Sequence, residues 1–176
     1  MRRIDLLTRI IFAAGATVAV AFTAAVVIAG QLDLVVRNVS ASLPEGWYVR
    51  VSGPLQTGSL VTFMLPRSMA PYAASAPAMQ SFFRDHPLLK PVVGLAGDII
   101  CRDDRDIFSV NGTPLAVAMR AGPSGHPLPA WHGCHVLAED EIAVFSNRIP
   151  DSIDSRLFGA VPIAEVTGTY RPLWVN

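Results

Sequence analysis

The chain has 176 residues, room for one ordinary domain and a small accessory segment, with 51% hydrophobic and 16% charged residues. Basic and acidic residues number 14 each, so the formal net charge is zero. That balance excludes the broad basic surface expected of a nucleic-acid partner.

The hydrophobic excess is concentrated early. Residues 10–30 hold no charge and no proline, and Thr17 and Thr23 are their only polar side chains. About 20 such residues cross the hydrocarbon core as a helix. Arg2, Arg3 and Arg9 precede the block with only Asp5 against them, so a cytoplasmic basic tip over residues 1–9 is expected, with residues 31–176 outside. A cleaved signal peptide is the competing reading, since Ala24-Ala25 and Ala29-Gly30 place small residues near the end of the block. A retained anchor is preferred because it keeps the protein's task at the bilayer surface.

After the anchor the pattern turns to short strands. Trp47 to Val51 is rich in β-formers and ends at Gly53-Pro54, and Leu60 to Phe63 is entered through Gly58 and closed by Pro66. Residues 67–89 are Ala-, Pro- and Ser-rich and read as an insertion over the surface, with a short helix around Ala78 to Arg84. Val92 to Asp98 runs from strand into turn, and Ile99-Ile100 opens the next strand. Ile107 to Val110 leads into Asn111-Gly112, a strong hairpin signal because both residues tolerate positive φ. Residues 121–130 form a loop broken by Gly and Pro. Glu141 to Ser146, Val161 to Ile163 and Val166 to Tyr170 complete a mainly β, mostly antiparallel domain.

Cys101 and Cys134 both lie beyond the anchor. In an oxidising compartment such a pair forms a bridge; the alternative is two buried thiols. His132, Cys134 and His135 cluster, but zinc spacing needs a second ligand pair and none exists, so no metal is expected. The four histidines sit in loop-rich segments without a nucleophile turn, and no phosphate-binding glycine loop is present.

Lysine is more informative. Lys90 is the one lysine in the chain, set between Leu88-Leu89 and Pro91-Val92-Val93. Burial disfavours the ammonium and lowers its pKa, so a neutral amine becomes available to accept a proton from a serine, which arginine could not do. The plainer alternative is a lysine that snorkels to solvent from a strand end.

Three blocks give Lys90 a context. Asn38-Val39-Ser40-Ala41-Ser42-Leu43-Pro44-Glu45-Gly46-Trp47-Tyr48 follows the anchor, Lys90 opens Lys-Pro-Val-Val-Gly-Leu-Ala-Gly-Asp, and Ser152-Ile153-Asp154-Ser155-Arg156-Leu157-Phe158-Gly159 comes later. In this order the chain resembles the signal peptidase I superfamily, and the Asn-x-x-x-Ser-x-Pro-x-Gly-x-Tyr form is similar to its TraF branch, the conjugative-transfer signal peptidases. The resemblance spans nearly the whole chain and implies a signal-peptidase-like β domain behind one transmembrane helix. It places the nucleophile on Ser42, the general base on Lys90 and the required aspartate on Asp154. It implies that Ser40 contributes its hydroxyl to the oxyanion hole beside the Ser42 amide. Ser152 then orients the lysine, and Arg156 pairs with Asp154. No cofactor is implied.

The implied activity is cleavage of an exported propilin, or another precursor, after small residues. The implied setting is the inner membrane with the peptidase domain in the periplasm, and the implied partners include components of a conjugative secretion apparatus. The alternatives are a general leader peptidase and a non-catalytic anchored scaffold. Ser68-Met69-Ala70-Pro71 is a decoy that matches the nucleophile motif of general leader peptidases, yet it lies after the Leu60–Phe63 strand. General leader peptidases also carry arginine after the lysine, where Pro91 stands here, so Asp154 is expected to rely on Arg156 alone.

Overall fold

The computed structural model describes residues 2–31, 33–74, 81, 83–84, 86–122 and 125–176. Helix α1 (Arg2–Gln31) takes in the basic tip as its first turns. Its Thr8–Ile28 stretch of 21 residues is apolar and long enough to cross a membrane. The two threonines within it are no obstacle, because the hydroxyls of Thr17 and Thr23 donate to the carbonyls of Ala13 and Ala19, one turn earlier, at 2.9 Å each. The chain divides after Val36 into this helical unit and a second unit, Arg37–Asn176.

Eleven strands follow the helix among the described residues: β1 (Val35–Asn38), β2 (Gly46–Val51), β3 (Leu60–Phe63), β4 (Leu88–Gly94), β5 (Ile99–Arg102), β6 (Ile107–Val110), β7 (Thr113–Val117), β8 (Gly133–Val136), β9 (Glu141–Val144), β10 (Val161–Pro162) and β11 (Val166–Val175). They form a seven-stranded sheet in the order β1-β2-β11-β3-β4-β9-β10 and a four-stranded sheet in the order β7-β6-β5-β8. The mainly β expectation is met, and the Asn111-Gly112 hairpin turn has φ of 51° and 76°.

Strand β9 links the two halves of the core. Its Ile142 and Val144 join Val61, Phe63, Leu88 and Val92 in one cluster, while Ala143 joins Phe145, Ile100 and Phe108 in another. The period-2 alternation of side chains divides one strand between two interiors. In β4 the same alternation puts Lys90 on the face of Leu88 and Val92, directly across from the fully buried Val61. The apolar cluster is therefore what takes the lysine out of water.

Residues 67–89 depart from the surface insertion expected of them. A 3-10 turn (Arg67–Met69) runs into helix α2 (Ala70–Ala74), and Leu88-Leu89 already belong to β4. Met69, Tyr72, Ala73 and Phe83 are buried in the core clusters. Small residues dominate the composition of the segment and hide these few large anchors. Most of the short helix expected around Ala78 to Arg84 lies outside the described residues.

Cys101 and Cys134 are bonded, as register partners on β5 and β8 across a sequence separation of 33. Strand β8 is the exposed edge of its sheet. Closing a loop of that length removes freedom from the unfolded chain. The Cys101→Ala/Cys134→Ala chain is expected to lose about 2–4 kcal/mol by denaturant titration, and its β8 amides should exchange faster with solvent. Unchanged stability would mean the bridge constrains nothing that the sheet does not already hold.

Candidate active site

The site is assembled from three separate stretches: the turn after β1, the middle of β4 and the segment after β9. Ser42 sits in the turn between Asn38 and Gly46 and is 2% exposed. Its carbonyl accepts a hydrogen bond from the Ser146 hydroxyl, which reaches in from just beyond β9. Tyr48 on β2 donates to the Pro44 carbonyl at 2.7 Å and closes the turn from below.

Lys90 is 4% exposed and meets this turn from β4. Its Nζ lies 2.5 Å from the Ser42 hydroxyl and 3.0 Å from the Ser152 hydroxyl. Ser40 Oγ is 2.9 Å from Ser42 Oγ on the other side. Burial pushes the Lys90 amine down from 10.5 to about 8. The Asp154 carboxylate opposes that fall, the Arg156 guanidinium adds to it, and Asp151 opposes it more weakly.

Asp154 and Arg156 are both buried and form a two-pronged pair, Nε to Oδ1 and Nη2 to Oδ2 at 2.8 Å each. The Asp154 carboxylate also caps helix α3 (Ser155–Phe158) by accepting the Arg156 amide, and it accepts the Ser146 amide at 3.1 Å. Arg156 spends its remaining donors on the carbonyls of Pro150 and Ser146 and stacks over the Phe145 ring at 4.6 Å. The pair thereby fixes the segment that carries Ser152 and the serine that holds Ser42. Asp154 reaches Lys90 through its charge, with its oxygens occupied elsewhere.

The four-stranded sheet braces this arrangement. Arg102 on β5 donates to the Arg156 carbonyl at 3.1 Å, and the Trp131 indole donates to the Ser155 carbonyl at 3.1 Å. Among the described residues no buried side-chain nitrogen or oxygen lacks a partner. A cleft of about 200 Å³ opens onto Ser40, Ser42, Lys90 and Ser152, with Phe83, Leu88 and Ile153 among its apolar walls.

A family model described as signal peptidase, peptidase S26, matches residues 7–174. The chain belongs to the signal peptidase S26 family.

Two plasmid transfer proteins TraF of Escherichia coli are similar to this chain. One is 28% identical over 89% of this chain and 93% of its own; the other is 27% identical over 77% and 80%. A signal peptidase I from Enterococcus faecalis V583, known from a crystal structure, is 21% identical, covers 68% of this chain and 98% of its own, and superposes with a TM-score of 0.37.

Within this member of the family the six residues singled out from the sequence, Ser40, Ser42, Lys90, Ser152, Asp154 and Arg156, converge on one site. Ser68 does not join them; it is exposed on the 3-10 turn before α2. The zinc alternative loses its sulfur to the disulfide, and His135 pairs with Glu141 at 2.6 Å. Three contributors were assigned no role from the sequence, although Ser155 and Asn38 stand inside the quoted blocks. Ser146 uses its amide, carbonyl and hydroxyl to join the ion pair to the nucleophile turn. Ser155 accepts the Val144 amide at 2.9 Å and ties α3 to β9. Asn38, present only as a motif letter, spans the Ser42 turn.

Proposed function

We propose that this chain is a membrane-anchored serine endopeptidase of the signal-peptidase type, with Ser42 as nucleophile and Lys90 as general base, that processes an exported propilin for conjugative transfer. The observation that carries the reading is the 2.5 Å contact between Lys90 Nζ and Ser42 Oγ in a setting that holds the amine near pKa 8. At pH 7 roughly a tenth of such amines are neutral, against about one in several thousand at the ordinary value.

Neutral Lys90 takes the Ser42 proton as Oγ attacks the scissile carbonyl. The negative charge that develops on the carbonyl oxygen is met by the Ser42 amide and the Ser40 hydroxyl, each donor typically worth about 3–4 kcal/mol. Collapse breaks the peptide bond, and the Lys90 ammonium returns its proton to the leaving amine. Water then attacks the acyl-enzyme, giving its proton to Lys90, and as the ester bond breaks Lys90 passes that proton to Ser42 Oγ and the carboxylate product leaves. Ser152 orients the amine throughout. The small, apolar-walled cleft suits an extended segment with small side chains.

Residues 1–9 are assigned to the cytoplasm, 10–30 to the inner membrane and 31–176 to the periplasm, an orientation supported by the basic flank and by the disulfide. The conjugative role is supported by the likeness to two plasmid transfer proteins. Pulse-chase labelling of candidate propilins in cells carrying the wild-type or Ser42→Ala chain tests the whole reading. Propilin that matures only with the wild type supports it. Maturation of many unrelated precursors makes the protein a general leader peptidase, and maturation in both strains leaves an anchored scaffold.

The base dictates the pH response. Cleavage (kcat/KM) is expected to rise tenfold per pH unit below about 8 and to level off above it. A profile with its inflection near 6.5 would point to histidine.

A further inference from the structure

Asn38 closes β1 and is 8% exposed. Its Nδ2 donates to three backbone carbonyls, those of Ser40 at 2.9 Å and of Leu43 and Pro44 at 3.1 Å each. Its Oδ1 accepts from the Ser40 amide at 3.2 Å and from the Ser40 hydroxyl at 3.1 Å. With carbonyls on one side and an N–H on the other, the amide can be seated only one way round. One side chain therefore spans the turn that carries Ser42 and also holds the hydroxyl assigned to the oxyanion.

The hydroxyl protons show why this matters. Each serine has one proton to give. When Lys90 is an ammonium it donates to Ser42 Oγ, Ser42 donates to Ser40 Oγ at 2.9 Å, and Ser40 donates to Asn38 Oδ1, so the chain of bonds runs in one direction and ends on the amide. When Lys90 is neutral it accepts the Ser42 proton, and Ser40 no longer receives one. Its own proton can then swing toward the oxygen that gains charge. Without Asn38 the Ser40 hydroxyl would have no fixed resting place and the turn would lose three ties.

We propose that Asn38 is a positioning residue for the cleavage reaction, seating the Ser40 hydroxyl beside Ser42 so that it is delivered to the oxyanion. The proposal rests on the Ser42–Lys90 reading above. It predicts that Asn38 acts through Ser40, which a merely structural residue would not do.

The test is a double-mutant cycle on the full chain in detergent, with kcat and KM measured on a cleavable precursor. Asn38→Ala and Ser40→Ala are each expected to lower kcat by about 10²-fold with KM changed less than about threefold. The double variant should fall no further than the weaker single, within about threefold. Ser40→Thr, which keeps the hydroxyl, should recover most of the activity. If Asn38→Ala does not fold, Asn38→Asp takes its place in the cycle; it keeps the Ser40 acceptor but sets a carboxylate against three carbonyl oxygens, and the same losses are expected. Wild-type kcat in the Asn38 variant, or a double loss equal to the product of the single losses, overturns the inference. If Ser42→Ala or Lys90→Met still cleaves, it is the underlying reading that fails.

Discussion

Cleavage by the Ser42→Ala chain is expected to fall by about 10⁴-fold or more, and Lys90→Met and Lys90→Arg should fall as far, because in the proposed reaction nucleophile and base work as one unit. Ser68→Ala should cleave like the wild type, since Ser68 lies exposed while the single lysine is held by Ser42 and Ser152. The three inactive chains should differ in stability. The folded pKa of Lys90, about 8, lies below the 10.5 of the unfolded chain, so between those values the folded state binds fewer protons. Burying the ammonium is therefore a penalty that is fully present below about pH 8 and fades toward 10.5. Lys90→Met removes it, and thermal unfolding at pH 7 should occur about 3–6 °C higher than wild type, with the gain shrinking by pH 10. Lys90→Arg keeps an undischargeable cation in the same place and should unfold lower. A Met variant less stable than wild type at both pH 7 and pH 10 would mean that the contacts of the lysine outweigh its desolvation.

Asp154→Ala is expected to be the most destabilising single change in the site. It strips Arg156, 1% exposed, of both carboxylate contacts and leaves a buried guanidinium charge without its counter-ion, held by carbonyls alone. Breaking one half of such a buried pair costs about 3–5 kcal/mol, or a fall in melting temperature of about 10 °C for a chain of this size. Activity should be lost at temperatures well below unfolding, because the Ser146 amide loses its acceptor and the guanidinium that holds the Pro150 carbonyl loses its fixed seat. Asp154→Asn keeps the shape and should lose less of both. Thermal melts and cleavage assays on the two variants decide the matter. An Asp154→Ala chain that melts like the wild type would show that the pair does not hold the segment.

Most of the site was legible because its chemistry sits in side chains within short blocks. Ser42, Lys90, Ser152, Asp154 and Arg156 each carry an ionisable or hydroxyl group whose company in sequence is distinctive. The parts played by Ser146 and by Ser155, which stands inside the third block, were not legible. Their work is done toward backbone groups of distant strands, and nothing local marks a serine that will accept or donate there. The same division holds for the fold. β2, β3, β6 and β9 announce themselves by β-formers and turn residues. β8 (Gly133–Val136) is short, exposed and without alternation, and it exists as a strand because β5 and a disulfide hold it. β11 runs on past Tyr170 through Pro172, where a register shift and pairing with β2 alone accommodate the imino acid. The burial of Met69, Tyr72 and Phe83 depends on which strands they happen to cover, a tertiary matter that composition could not carry.

The solitary lysine has a practical corollary for chemical labelling. Apart from the α-amine at the start of the chain, Lys90 Nζ is the only primary amine an acylating reagent can find, and it stands in a cleft of about 200 Å³. Reagents small enough to enter would add one mass increment and, on the proposed mechanism, abolish cleavage in the same event, while bulky ones would leave both unchanged. Conjugation to beads or dyes through amines, routine for most proteins, would here tag the α-amine or nothing. The thirteen arginines supply the remaining basic charge without offering a competing nucleophile.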